Sequence, residues 1–84
     1  MTNGTKHRWV HDGPDYHLRI GSKWVLVGWH PSGLKVERTM IAKNGDVTEL
    51  PYLKRHGKRS WLWPHGAEGL AQAKKEALRW LLSK

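Results

Sequence analysis

Only the last part of this chain, Ala67 to Leu82, has helical periodicity. The segment AEGLAQAKKEALRWLL is built from strong helix formers. At 100° per residue, Ala67, Leu70, Ala71, Ala77, Leu78 and Leu81 fall into one apolar stripe. Glu68 near the start and Arg79 and Lys84 near the end suit the helix macrodipole. No Ser, Thr, Asp or Asn stands at the N-cap, so Gly66 must serve there. The stripe has to be buried, and everything upstream reads as strand. One face of a sheet is therefore the only partner available to it.

Upstream, short alternating segments are separated by turn residues. Residues 7–11 (HRWVH) read as a short first strand, and Asp12, Gly13, Pro14 and Asp15 reverse the chain. Tyr16, Leu18 and Ile20 alternate with His17 and Arg19, the period of two of a half-buried strand. The central strand is WVLVGWH, residues 24–30, with Val25, Val27 and Trp29 on one face and Trp24 and Leu26 on the other. Gly28, in its middle, implies a bulge or a place where another group crosses closely. Residues 34–42 put Leu34, Val36 and Met40 on one face, interrupted by Arg38, and Lys35, Glu37 and Thr39 on the other. Asn44-Gly45 is a hairpin turn. Residues 47–50 return along the preceding strand, and Pro51 ends the pairing. Residues 60–63 (SWLW) form a last short strand with Trp61 and Trp63 on the same face, stopped by Pro64. The expected fold is α+β: a three- to five-stranded antiparallel sheet with one C-terminal α-helix packed on one face.

At 84 residues the chain is one domain without room for a large substrate cavity. Residues 1–6 are expected to form a mobile arm, 7–63 the sheet and 67–82 the helix. No apolar run is long enough to cross a bilayer, and the N-terminal MTNGTKHRWV has no apolar signal core. The expected location is intracellular, cytoplasmic or nucleoid-associated. Cysteine is absent, which excludes disulfides, thiolate zinc sites and a Cys nucleophile.

Charge indicates the class of partner. Fifteen Lys and Arg face seven Asp and Glu, a formal net charge of +8, which favours polyanions or acidic protein surfaces. Lys54, Arg55, Lys58 and Arg59 put four positive charges into six residues, directly before Trp61 and Trp63. Phosphate-neutralising charge beside flat rings is what a nucleic-acid surface needs. The plainer reading of the same residues is a solvated loop tip above two core tryptophans. If the polar faces of the strands coincide, Arg8, Arg19, Lys23, Lys35, Arg38 and Lys43 extend the loop cluster into a basic sheet face. Arg can address guanine there, and Lys the phosphates. The candidate nucleic-acid-binding residues are Arg8, Arg19, Lys35, Arg38, Lys54, Arg55, Lys58, Arg59, Trp61 and Trp63.

Lys74, inside the helix stripe, is expected to extend its ammonium out of the packing edge, and Trp80 to pack on the sheet. His7, His11 and His17 lack the companions that would complete a metal site, so neither metal nor cofactor is expected. His56 and His65 flank the tryptophan strand and could act as general acid or base in a metal-free ribonuclease. A phosphate-facing histidine in a binding surface accounts for them without turnover. No carboxylate pair suits two-metal nuclease chemistry, and the chain is read as non-enzymatic.

Trp-bearing short strands, a Pro/Gly loop and the helix GAEGLAQAKKEALRWLL together resemble the AP2-type DNA-binding domain of plant transcription factors and phage integrases. The resemblance runs from about Lys35 to Leu82, and its specific part is the strand, loop and helix passage from Trp61 onward. It implies a sheet that lies in the DNA major groove with the helix behind it. This chain has additional strand-like sequence before that region and lacks the family's glycine-rich opening. The expected function is a small nucleic-acid-binding domain that engages duplex DNA, ahead of RNA, through a basic sheet face and residues 54–59. A protein-binding inhibitor or adaptor, possibly phage-encoded, that engages an acidic partner is the second reading. A ribonuclease-like toxin is the third. Stacking by Trp61 and Trp63 would also suit RNA or single strands.

Overall fold

The computed structural model describes residues 8–54 and 61–83. The expected arm and the candidates Arg55, His56, Lys58 and Arg59 lie outside them. Five strands follow one another as an antiparallel meander: β1 (Val10–Asp12), β2 (Asp15–Ile20), β3 (Lys23–His30), β4 (Gly33–Ile41) and β5 (Val47–Leu50). The two-residue strand β6 (Leu62–Trp63) also pairs with β4, and α1 (Ala67–Leu82) follows it. The fold is α+β, an antiparallel sheet with one C-terminal helix packed against it. Among the described residues the first strand starts at Val10, after Arg8 and Trp9, and runs on through Asp12, which the two-residue turn at Gly13 and Pro14 sets opposite Asp15.

β4 gives one edge to β3 along most of its length, from Gly33 to Met40. It divides the other edge, pairing Arg38–Ile41 with β5 and Leu34 and Lys35 with β6. Between these two ladders the Leu53 N–H donates to the Val36 carbonyl at 3.0 Å. Leu53 and Leu62 therefore meet β4 at neighbouring positions.

Register sorts the side chains onto two faces. Tyr16, Leu18 and Ile20 share a face with Val25, Val27 and Trp29, and with Leu34, Val36, Arg38 and Met40. This face meets the helix, and its core is Leu18, Val25, Val27, Leu34, Val36, Trp63, Ala73, Ala77 and Leu81. A fully buried aliphatic side chain contributes roughly 1.5–3 kcal/mol, so this one layer carries most of the fold's stability.

The helix meets the sheet along a row that keeps Ala77 and Leu81 of the expected stripe but turns toward Gly69 and Ala73. Its buried residues are Gly69, Ala73, Ala77 and Leu81, at strict four-residue spacing, while Ala67 and Ala71 are exposed. Small side chains let the helix axis come close, and Leu70, Leu78 and Trp80 close over the sides of the contact. The closeness is greatest at Gly69, where a Cβ would stand 1.8 Å from the Pro64 carbonyl oxygen. Hydrophobicity alone picks the leucine-rich stripe, whereas packing selects the row of smallest residues. Gly66 is the N-cap, as the absence of any other capping residue requires.

Candidate nucleic-acid interface

On the face away from the helix, the polar rows coincide as the alternation implies. Arg19 lies opposite Trp24, Trp24 opposite Thr39, and Thr39 opposite Glu49. The next row is His17, Leu26 and Glu37. Gly28 is crossed closely by other groups. A Cβ there would lie 3.0 Å from Leu26 Cδ2 and 3.2 Å from both Asp15 Oδ1 and Lys35 Cε. Without a side chain at position 28, Asp15 and Lys35 reach toward each other over the strand.

The charge on this face differs from the expected basic row. Its strand positions carry Arg19 and Lys35 against Asp12, Asp15, Glu37 and Glu49. Lys35 Nζ lies 2.9 Å from Glu37 Oε2. That hydrogen bond, strengthened by the carboxylate's charge, raises the Lys35 pKa above its ordinary value against a smaller desolvation effect. Arg19 Nε donates to the Gly21 carbonyl at 2.8 Å and remains exposed. Arg8 is exposed ahead of β1.

Lys23 and Arg38, grouped with these residues from sequence, lie on the helix-covered side instead. Arg38 falls in register with Val25 and Leu50, so alternation carries it to the apolar face. There its Nε donates to the Pro51 carbonyl at 2.9 Å and its guanidinium stands 5.3 Å from the Trp80 ring. Burial lowers its pKa. Lys23 Nζ, 5.2 Å from the same ring, donates to the Trp80 carbonyl (3.1 Å), the Ser83 carbonyl (2.6 Å) and Ser83 Oγ (2.9 Å). It closes the helix C-terminus, where orphan carbonyls and the macrodipole favour a cation.

Beside Trp80 runs a shallow groove lined by Leu53, Lys54, Glu76, Arg79, Trp80 and Ser83. Lys54 opens the basic segment and is exposed. Among the described residues, the helix and the sheet face beneath it carry Lys23, Arg38, Lys74, Lys75 and Arg79 against Glu68 and Glu76. Lys54 adds to that excess from the groove's other wall. A hollow of about 590 Å³ lies between the turns at Gly21 and Ala42, with Arg19 and Lys43 in its lining.

Trp61 and Trp63 do not share a face, although alternation through residues 60–63 predicts it. The strand begins only at Leu62, and Trp61 occupies a bend before it. Trp63 is 1% exposed under the helix, and its indole N–H has no hydrogen-bond partner among the described residues. Trp61 is half-buried, 5.1 Å from the Tyr52 ring and 5.3 Å from the His30 ring between centroids. Lys35 Nζ stands 5.8 Å from the centroid of Tyr52.

The remaining candidates sit apart. Lys74 extends its ammonium to 3.9 Å from the Tyr16 ring and 5.7 Å from that of Trp9, and desolvation lowers its pKa. His65 stacks on Trp29 and its Nε2 lies 2.7 Å from the His30 carbonyl oxygen. Among the described residues no three of His, Cys, Asp and Glu gather as metal ligands, and no helix is long and apolar enough to cross a membrane. Tyr52 escaped sequence analysis, and so did the helix-capping role of Lys23, which reads there as a sheet-face cation. The Tyr52 signal was its position two residues before the basic segment, whereas Lys23 gave none, because its partners lie 57 and 60 residues away. Compared with protein-family models, curated proteins and solved structures, the chain matches none.

Proposed function

We propose that this protein is a small, non-enzymatic nucleic-acid-binding domain that grips DNA phosphates with the flank formed by the groove beside Trp80 and the basic segment entered at Lys54. One observation carries the reading: Lys54 and Arg79 line a single groove, and the helix side beside it holds the described cation excess. Arg55, Lys58 and Arg59 follow Lys54 in sequence and add to the same charge. The sheet face away from the helix has more carboxylates than cations at its strand positions, so it supports a phosphate contact less well than the flank. Relative to the AP2-type mode, the polyanion is the same and the surface differs.

Duplex DNA carries a phosphate charge every ~1.7 Å along its axis and is the fitting first ligand. Binding of a labelled random duplex, measured by fluorescence anisotropy, should weaken linearly with the logarithm of salt, with a slope near −0.9 for each phosphate contacted. Substituting Lys54 and Arg79 by Gln together should flatten that slope by about two. A wild-type affinity indifferent to salt refutes the reading. An acidic protein partner for the same flank, the adaptor alternative, is favoured instead if duplex and single strand both fail to bind.

A further inference from the structure

Five rings line the end of the sheet where β3 turns into β4, as a stacked pair and a group of three joined through the His30 backbone carbonyl. Trp29 stacks on His65, with centroids 5.3 Å apart and planes 13° from parallel. His65 Nε2 lies 2.7 Å from the His30 carbonyl oxygen. The His30 ring meets Trp61 edge-on at 5.3 Å, and Trp61 meets Tyr52 at 5.1 Å. The row passes from one face of the sheet to the other, because Trp29 and His30 point to opposite sides of β3. Among the described residues no element covers its two ends, where Trp29 is 54% exposed and Tyr52 39%. Leaving two large rings in water forfeits the burial that such residues normally contribute.

We infer that this aromatic ridge is a stacking platform for unpaired bases, so that the preferred nucleic acid is a single strand. In a duplex every base already stacks on its neighbours and offers only its edges, whereas an unpaired base has a free face for Trp29 or Tyr52. Exposed Lys54 follows Tyr52 by two residues and supplies a cation for an adjoining phosphate, while Lys35, 5.8 Å from the Tyr52 centroid, is already paired with Glu37. Stacking of this kind is indifferent to base identity, so affinity should depend on strandedness more than on sequence. The inference rests on the nucleic-acid reading above, and adds to the groove beside Trp80 a second site built on Trp29 and Tyr52.

The test compares labelled oligothymidylate of about 12 nucleotides, within the roughly 4–16 nucleotides of small single-strand sites, with a duplex of equal length at one salt concentration. The single strand should bind at least about tenfold more tightly. Trp29→Leu and Tyr52→Leu, both at exposed positions, should each weaken single-strand binding by about thirtyfold, the middle of the range for one stacked base, and leave duplex affinity within about twofold. Circular dichroism melting of each variant confirms that the fold is retained. Equal or tighter binding of the duplex, or variants that bind oligothymidylate as well as the wild type, overturns the ridge and leaves the phosphate reading intact. Failure to bind either ligand overturns both.

Discussion

Trp61 and Trp63 stand two residues apart and meet opposite surroundings. Trp63 is sealed under the helix in a layer of aliphatic side chains, while Trp61 rests between Tyr52 and His30 beside a cation. The same division runs through the molecule. One side of the sheet holds its apolar residues together with most of its described cationic excess, and the other holds polar rows in which carboxylates outnumber cations. Lys and Arg can serve on the apolar side because their stems pack while their heads reach water, a ring face or a backbone carbonyl. Hydrophobic core and positive charge therefore do not occupy opposite faces here, as a simple inside-outside division would require.

The sharpest way to break this contrast is to truncate both tryptophans. Trp63→Ala empties a closed site and should cost about 3–5 kcal/mol, lowering Tm by well over about 10 °C for a domain of this size. Trp61→Ala should cost about 1 kcal/mol. Similar losses from thermal melts would show that the two rings share one core. Second in size is Gly69→Ala. Exchanging Gly for Ala inside an exposed helix gains about 1 kcal/mol, yet here the added methyl collides with the Pro64 carbonyl, so a loss of about 1–3 kcal/mol is expected. A stabilised variant in urea melts would mean that the helix approaches the sheet less closely.

Electrostatic differences come next. Arg79→Gln should reduce the salt slope of DNA binding by about one, whereas Arg19→Gln on the other face should leave it unchanged. A reversed outcome would move the polyanion to the open face. The smallest effect concerns the Lys35–Glu37 pair. Because the folded Lys35 pKa is raised, its contribution is fully present below the ordinary lysine value and disappears as pH climbs through the folded value. For a pair this exposed, the contribution is about 0.5 kcal/mol or less. Stability measured from neutral to strongly alkaline pH should show that loss in the wild type and not in Glu37→Gln.

Much of the fold could be read from local pattern. Residues 16–20 alternate cleanly, the apolar run 24–30 marks the central strand, Asn44-Gly45 returns the chain into 47–50, and the helix bounds follow from Gly66 and the run of Ala and Leu. The crossing at Gly28 followed from a missing side chain in an otherwise apolar strand. The candidate site was harder to read, for three physical reasons. Alternation holds only inside a paired strand, and Trp61 sits one residue outside β6. A helix's most hydrophobic row need not be its closest-packed row, so Gly69 and Ala73 gave a weak signal although they make the contact. Lys23 and Arg38 look like solvent residues until their hydrogen-bond partners, 60 and 13 residues away, are known.

The bond from Lys23 to the helix end also orders events in time. Its partners are the most distant in the sequence among the side-chain hydrogen bonds described, whereas each strand of the meander pairs with its immediate predecessor. Chains with local contacts form early, and closures over long sequence separations come late because their loop entropy is lost before the contact can compensate. During synthesis the five-strand meander emerges first, with Val25, Val27 and Val36 facing no partner. For that interval the nascent protein presents an apolar sheet to its surroundings, and the interval closes when the last turn of the helix reaches the ammonium of Lys23.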